Sequence, residues 1–274
     1  MNPTSTAAPR RSIRQTFDSL RQRRQIGLIP FIPAGYPDLE TTAETLLAME
    51  AAGASVIEIG LPFSDPIADG PTIQEAFAAA LGKKLKMWDV LRTVAEVRES
   101  LSVPLVAMGS YSLVYRYGPE RFFADAKAAG IDGLILPDLP PPEAQAICRQ
   151  VNKAGLDITL LVAPTTTPAR RREIADLCTG FVYYLSVSGI TGERARLPED
   201  LEQNVTGLKQ LTDKPICVGF GINRAEHVAQ LKAFADGAIV GSAVVKRMKE
   251  HAGEGPTGIA AAVAGYCREL LRSV

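Results

Sequence analysis

The 274-residue sequence holds only two histidines, one tryptophan and four cysteines, and each scarcity closes off a class of chemistry. Cys148, Cys178, Cys217 and Cys267 are far apart and form no C-x-x-C pair, which argues against a zinc site or a disulfide framework and for buried free thiols in a reducing cytosol. His227 falls in an expected surface helix and His251 in a Lys/Glu/Gly-rich segment near the C-terminus, so both read as solvated bystanders. Acid–base chemistry must then lean on carboxylates. No apolar stretch is long enough to span a bilayer, and Met1 to Arg14 lacks an apolar signal core, so a soluble, cytoplasmic protein is expected. Lys plus Arg equals Asp plus Glu at 30 each, so no net charge draws the chain toward nucleic acid or an anionic membrane. Anions must be bound locally.

What is present is alternation. After a basic first helix, roughly Ser12 to Arg24, short apolar runs alternate with longer amphipathic segments, the pattern of parallel βα units. Eight strands are expected, at Leu28 to Ile32, Ser55 to Ile59, Pro104 to Ala107, Gly133 to Leu136, Asp157 to Val162, Phe181 to Leu185, Ile216 to Gly219 and Gly237 to Val240. Helices are expected between them, among them Thr41 to Ala52, Trp88 to Ser100, Glu120 to Ala129, Glu143 to Ala154 and Ala225 to Lys232. Eight such units point to an α/β fold, a closed (β/α)8 TIM barrel with an additional N-terminal helix, with an open doubly wound sheet as the alternative. A barrel of this type occupies about 250 residues, so one domain over 1–274 accounts for the chain, with 1–11 as a flexible extension.

In such barrels the loops after the strand ends build the active site. Three features stand out there. The first is Glu58, a charge inside the apolar strand Val56-Ile57-Glu58-Ile59. Side chains alternate along a strand, so with Ile57 and Ile59 under the helices, Glu58 points into the barrel near its mouth. A carboxyl held among apolar neighbours has its pKa raised toward neutrality, as a group that both gives and takes a proton requires. The Pro- and Gly-rich loop that follows carries Asp65 and Asp69, which the sequence leaves nearly equivalent, because Asp before Pro or Gly is also common in plain turns.

The second feature is Gly219-Phe220-Gly221-Ile222-Asn223 after strand seven, matched by Val240-Gly241-Ser242-Ala243 after strand eight. Glycines admit a ligand close to backbone N–H groups, and a short helix starting at Ser242 would aim its positive end at a phosphate. Gly219 and Gly221 lack the third glycine that a dinucleotide-binding turn requires. The third feature, Tyr183 through Arg194 after strand six, is either a lid that excludes water or an ordinary exposed loop.

These residues resemble a known family. The run Glu58-Ile-Gly-Leu-Pro-Phe-Ser-Asp-Pro-Ile-Ala-Asp69-Gly-Pro is similar to the signature of tryptophan synthase α subunits, and Pro30-Phe-Ile-Pro-Ala-Gly35-Tyr-Pro, Leu136-Pro-Asp-Leu-Pro140, Ser188-Gly-Ile-Thr-Gly192 and Gly219-Phe-Gly-Ile222 follow in the family's order. The resemblance implies retro-aldol cleavage of indole-3-glycerol phosphate to indole and glyceraldehyde 3-phosphate, with neither metal nor organic cofactor in this subunit. It implies Glu58 as general acid/base, Asp69 as acceptor of the indole N–H, Tyr183 as the active-site tyrosine, Phe31 and Thr191 beside the indole, and Gly192, Gly221, Gly241 and Ser242 around the phosphate. It also implies a pyridoxal-phosphate-containing β subunit in an α2β2 complex that receives indole through a tunnel. One stretch departs from the pattern. After strand three, Ser112 and Leu113 stand where the family usually has the Asn, or Asn-Pro, of a Tyr-Asn or Tyr-Asn-Pro element, which bears on β-subunit coupling more than on the chemistry. Three rival readings are a sugar-phosphate or flavin barrel, a weakly active barrel kept as an activating partner, and a stand-alone indole-releasing lyase.

Overall fold

The computed structural model describes residues 10–66, 69–139, 141–186, 197–219, 221–272 and 274. Among them are nine parallel strand segments: β1 (Gly27–Pro33), β2 (Ile57–Gly60), β3 (Leu105–Met108), β4 (Gly133–Ile135), β5 (Asp157–Thr159), β6 (Leu161–Val162), β7 (Val182–Leu185), β8 (Ile216–Gly219) and β9 (Gly237–Val240). Their order is β5-β4-β3-β2-β1-β9-β8-β7-β6. Because β5 and β6 are separated by Leu160 alone, this order is a closed ring, with β5 pairing to β4 and β6 to β7. The eight expected strands are therefore present, the fifth broken in two where it changes partner. At the break the Leu160 N–H turns away from the ladder to the Cys178 Sγ, 3.2 Å away, while its carbonyl accepts from Tyr183 N at 3.1 Å.

The helices are α1 (Ile13–Gln22), α2 (Leu39–Ala51), α3 (Pro71–Gly82), α4 (Met87–Arg98), α5 (Tyr111–Tyr117), α6 (Pro119–Ala129), α7 (Pro141–Lys153), α8 (Pro168–Leu177), α9 (Leu201–Lys209), α10 (Ala225–Leu231), α11 (Ser242–Glu250) and α12 (Gly255–Leu270). Strands covered by helices on one face and filled by side chains on the other read as continuous apolar runs rather than as alternation. The alternation survives in the packing. Ile57 and Ile59 join the large cluster beneath the helices, while Val56 belongs to a separate inner cluster with Ile29, Val106, Ile135, Cys217 and Ile239.

The floor of the barrel is closed by α1. Its start is fixed by a capping box, Gln15 N donating to Ser12 Oγ at 3.1 Å and Ser12 N to Gln15 Oε1 at 2.9 Å. Ile13, Phe17 and Leu20 enter the inner cluster, with the Phe17 and Phe181 rings 6.0 Å apart. Two aspartates, each just before a strand-opening glycine, hold this helix region. Asp132 accepts from Leu105 N at 2.9 Å, Arg98 at 3.0 Å and Arg10 at 3.0 Å. Asp236 accepts from Ile216 N at 2.9 Å and pairs with Lys209 at 3.1 Å and Arg21 at 3.8 Å. Arg10 and Arg11, expected in a flexible extension, are thus tied down, Arg11 N bonding Ser102 O at 3.1 Å. α1 thus covers this end of the barrel.

His227 also departs from expectation. It is buried with Val228 and Leu231, because positions 227, 228 and 231 share the inner stripe of α10, a surface helix that still covers the barrel. His251 is near the surface and bonded to Glu254 at 2.8 Å.

Within α2, Thr41 and Thr45 are fully buried and, among the described residues, their Oγ1 atoms have no hydrogen-bond partner. A buried unpaired hydroxyl costs about 1–3 kcal/mol, whereas an apolar group of the same shape carries no such cost. Thr45→Val is therefore expected to raise the thermal midpoint by roughly 2–4 °C, on the scale of about 1 kcal/mol. A lower midpoint in a melting experiment would refute this account of the α2 packing.

Candidate active site

Glu58 sits at the centre of β2, its Cα in register with Phe31 of β1 and Val106 of β3. It is 1% exposed and, among the described residues, its Oε2 has no hydrogen-bond partner, so burial, reinforced by the charge of Asp69, pushes its pKa from 4.5 to about 8. At neutral pH it carries a proton.

Asp69 and Asp65, equivalent in sequence, are not equivalent in the structure. Asp65 is exposed and accepts from Ser64 Oγ at 2.7 Å. Asp69 is 8% exposed, and burial raises its carboxyl from 3.8 to about 6. Two carboxyls within electrostatic reach of one another thus have different proton affinities, one protonated and one largely ionised at pH 7. A separation of this kind lets one carboxyl give a proton while the other stays an acceptor.

Tyr183 enters the interior from β7. Burial first, then the charges of Glu58, Asp69 and Cys217, hold its hydroxyl well above the ordinary tyrosine value, so it is a neutral donor. Gly219 on the neighbouring strand makes room for it, since a Cβ there would overlap the Tyr183 hydroxyl and ring. Phe31 packs edge-on to Phe77 at 6.5 Å, and with Ile73, Ala76 and Val245 forms an apolar wall beside the carboxylates. A cavity of about 270 Å³ opens between the loops after β2, β3 and β4, with Asp69, Phe77 and Met108 in its lining.

Of the residues expected around a phosphate, Gly221 has φ +79°, a backbone conformation that favours glycine in any case. Gly241 differs. A Cβ there would meet Phe31 and Ile73 only at 3.7 and 3.8 Å, ordinary contact, so packing among the described residues does not demand glycine. Ser242 is the first residue of α11, where backbone N–H groups lack helical partners. Tyr266 of α12 donates to Asn223 O at 2.9 Å and lies under the Arg247 guanidinium, 5.2 Å from the ring centre, so α11 and α12 brace the loop after β8. Thr191 and Gly192 lie outside the described residues, as does most of the loop after β7.

Sequence reasoning missed two contributors. Asp138 ties the loops after β3 and β4 together, accepting from Ser110 Oγ at 2.5 Å and Tyr111 N at 2.7 Å. Gln74 of α3 bonds the backbone around Asp69. Both act through contacts within loops, which leave no periodic trace in the sequence. Ser112, one of the two departures from the family pattern, lines the cavity that Asp69 lines.

The family model described as tryptophan synthase alpha chain matches residues 17–273. The chain belongs to the tryptophan synthase alpha chain family. The alpha chain of Rippkaea orientalis is 45% identical over 264 residues, 96% of this chain and 98% of its own. That of Synechocystis sp. is 46% identical over 259 residues, 94% and 97% of the two chains. The crystal structure of tryptophan synthase from M. tuberculosis in its aminoacrylate-bound form superposes with a TM-score of 0.82 at 34% identity, covering 95% of this chain and 100% of that one. Membership makes this chain a lyase of tryptophan biosynthesis on a TIM-barrel scaffold. It sets aside the sugar-phosphate and flavin readings. Among the described residues no helix is long and apolar enough to cross a membrane.

Proposed function

We propose that the mouth of this barrel carries out the alpha reaction, cleaving indole-3-glycerol phosphate into indole and glyceraldehyde 3-phosphate, with Glu58 as general acid/base and Asp69 as the group that stabilises the charged ring. The observation that carries the assignment is the pair of buried carboxyls with separated proton affinities, about 8 for Glu58 and about 6 for Asp69. In the first step protonated Glu58 gives its proton to the indole C3, and the ring nitrogen becomes electron-poor. Asp69, ionised, accepts the ring N–H and stabilises that positive charge in a site of low polarity, where such an interaction counts for more than in water. The Glu58 carboxylate then takes the proton of the adjacent glycerol hydroxyl. The C–C bond breaks, its electron pair returns to the ring, and the hydroxyl carbon leaves as the aldehyde, with Glu58 returned to its starting state.

Tyr183 supports the same reading as a neutral donor beside both carboxyls, and Phe31 as a flat apolar surface for the indole. Gly241 and Ser242 support phosphate binding, because packing does not demand glycine at 241 and the first backbone N–H groups of α11 have no helical partners to give them to. Gly221, Gly192 and Thr191 complete the proposed contacts by family correspondence alone. On this route the chain's own residues supply every proton transfer and no cofactor is called upon. The partner reading follows from family membership: a tryptophan synthase β subunit carrying pyridoxal phosphate, in an α2β2 assembly, with the Ser112-Leu113 departure weakening the coupling.

The test is indole release by the purified chain across pH, with and without a β subunit. Asp69 must be ionised and Glu58 protonated, so kcat/KM is expected to rise through about 6 and fall through about 8, a bell between the two values. Absence of indole release from the folded protein under both conditions would overturn the assignment.

A further inference from the structure

At the end of the loop after β2, Asp69 N donates to Pro66 O at 3.0 Å. The Asp69 carbonyl comes just before the N-cap of α3, Gly70, and so lies outside the helical ladder. It is taken up instead by the Gln74 side chain, whose Nε2 donates to Asp69 O at 2.7 Å and also faces Pro66 O at 3.4 Å. Both partners are carbonyl oxygens, so only the NH2 end of the amide can face them. The backbone of Asp69 is therefore held at its N–H by Pro66 and at its carbonyl by Gln74, from a side chain that is exposed and fills no core position.

We infer that Gln74 is a positioning residue for Asp69, holding the Pro66 and Asp69 carbonyls together so that the Asp69 carboxylate is presented inward, toward Glu58 and the cavity. The inference rests on the reading of Asp69 as the acceptor of the substrate N–H. The titratable and charged groups around Asp69 among the described residues are Glu58 from β2 and Tyr183 from β7, which interact with each other and with Asp69, and Asp65 and Asp138 in the wall of the same cavity. All are acids, so any widening of the loop changes how well water screens Asp69 from them. A misplacement of about 1 Å far from the reacting atoms can lower a rate by roughly a hundredfold.

The experiment uses the full chain with Gln74→Met, which keeps the length and removes the donor, and Gln74→Glu, which at neutral pH sets a carboxylate against two carbonyl oxygens. Two quantities are measured: the steady-state constants for indole release, and the titration midpoint of the Asp69 carboxyl by 13C NMR, which needs no turnover. For Gln74→Met we expect kcat to fall by about ten- to a hundredfold with KM changed by less than about threefold, and Gln74→Glu to fall at least as far. The Asp69 midpoint is expected to move down from about 6 toward 3.8 as the loop admits water. A kcat within about twofold of the parent, or a loss of kcat with the midpoint unmoved, would overturn the inference. A midpoint that moves in a chain whose parent releases no indole would uphold the positioning role and sink the reaction assignment. Because Gln74 is exposed, the variants are expected to fold, and if Gln74→Met does not, Gln74→Glu decides by the same two measurements.

Discussion

Glu58→Gln is expected to cut indole release about a thousandfold while leaving the protein folded and, at alkaline pH, more stable than the parent. Glutamine keeps the shape and the apolar surroundings of Glu58 but neither gives nor takes a proton, and loss of a positioned acid/base costs about 10²- to 10⁴-fold. The stability effect has a definite sign. The parent carboxyl is held at about 8 in the folded chain against 4.5 ordinarily. Below 4.5 it is protonated in both the folded and unfolded states and makes no difference. As pH rises toward about 8 the unfolded chain ionises freely while the folded chain must keep the proton or bury a charge, so folded-state stability falls across that window. Glutamine has no such cost, and its advantage near pH 9 amounts to roughly a few kcal/mol. Initial rates together with melting curves near pH 5 and pH 9 check both halves. Retention of more than about a tenth of the parent rate would remove Glu58 from its role.

The second large effect lies at the other end of the barrel. Asp132→Ala is expected to lower stability by about 3–5 kcal/mol, or roughly 10 °C in melting temperature. The Arg98 side chain is only 5% exposed, and its guanidinium bonds Asp132, Gly130 O and Leu101 O. Burial pulls the Arg98 pKa down and Asp132 opposes that pull. Without the carboxylate, a buried cation loses its counter-charge, Arg10 keeps only its bond to Gly130 O, and the Leu105 N–H loses its acceptor. The surface pair Lys249–Glu75 is the control. At 2.6 Å it is short, but its side chains are 59% and 62% exposed, and such pairs contribute about 1 kcal/mol or less. Should Asp132→Ala melt within a degree or two of the parent, the floor network is not what holds α1 in place.

Much of the fold was legible because parallel βα units leave a regular trace. Apolar runs recur between amphipathic segments, and eight of them close a ring. The fifth strand reads as one run from Asp157 to Val162, and nothing in its composition signals that Leu160 gives its N–H to a cysteine sulfur in another element. Likewise His227 was misread because a helix on the outside of a barrel still has an inner face, and a single polar residue there looks like a solvated one. At the site, Glu58 was legible because a lone charge in an apolar strand has few innocuous explanations. The choice between Asp65 and Asp69 was open to family resemblance alone, since a turn rich in Pro and Gly looks the same whichever aspartate folds inward.

The sequence by itself determined the barrel, the register that turns Glu58 inward, and the family, because each is written in local periodicity or in contiguous motifs. Only the tertiary structure decided which aspartate is buried, how far apart the two carboxyls stand in proton affinity, that the floor is sealed by α1, and that Gln74 holds the turn beneath Asp69. The reason is physical. Desolvation and backbone clamping depend on what chain-distant elements place around a group, and residues far apart in sequence leave no local pattern of the neighbours that folding brings to them.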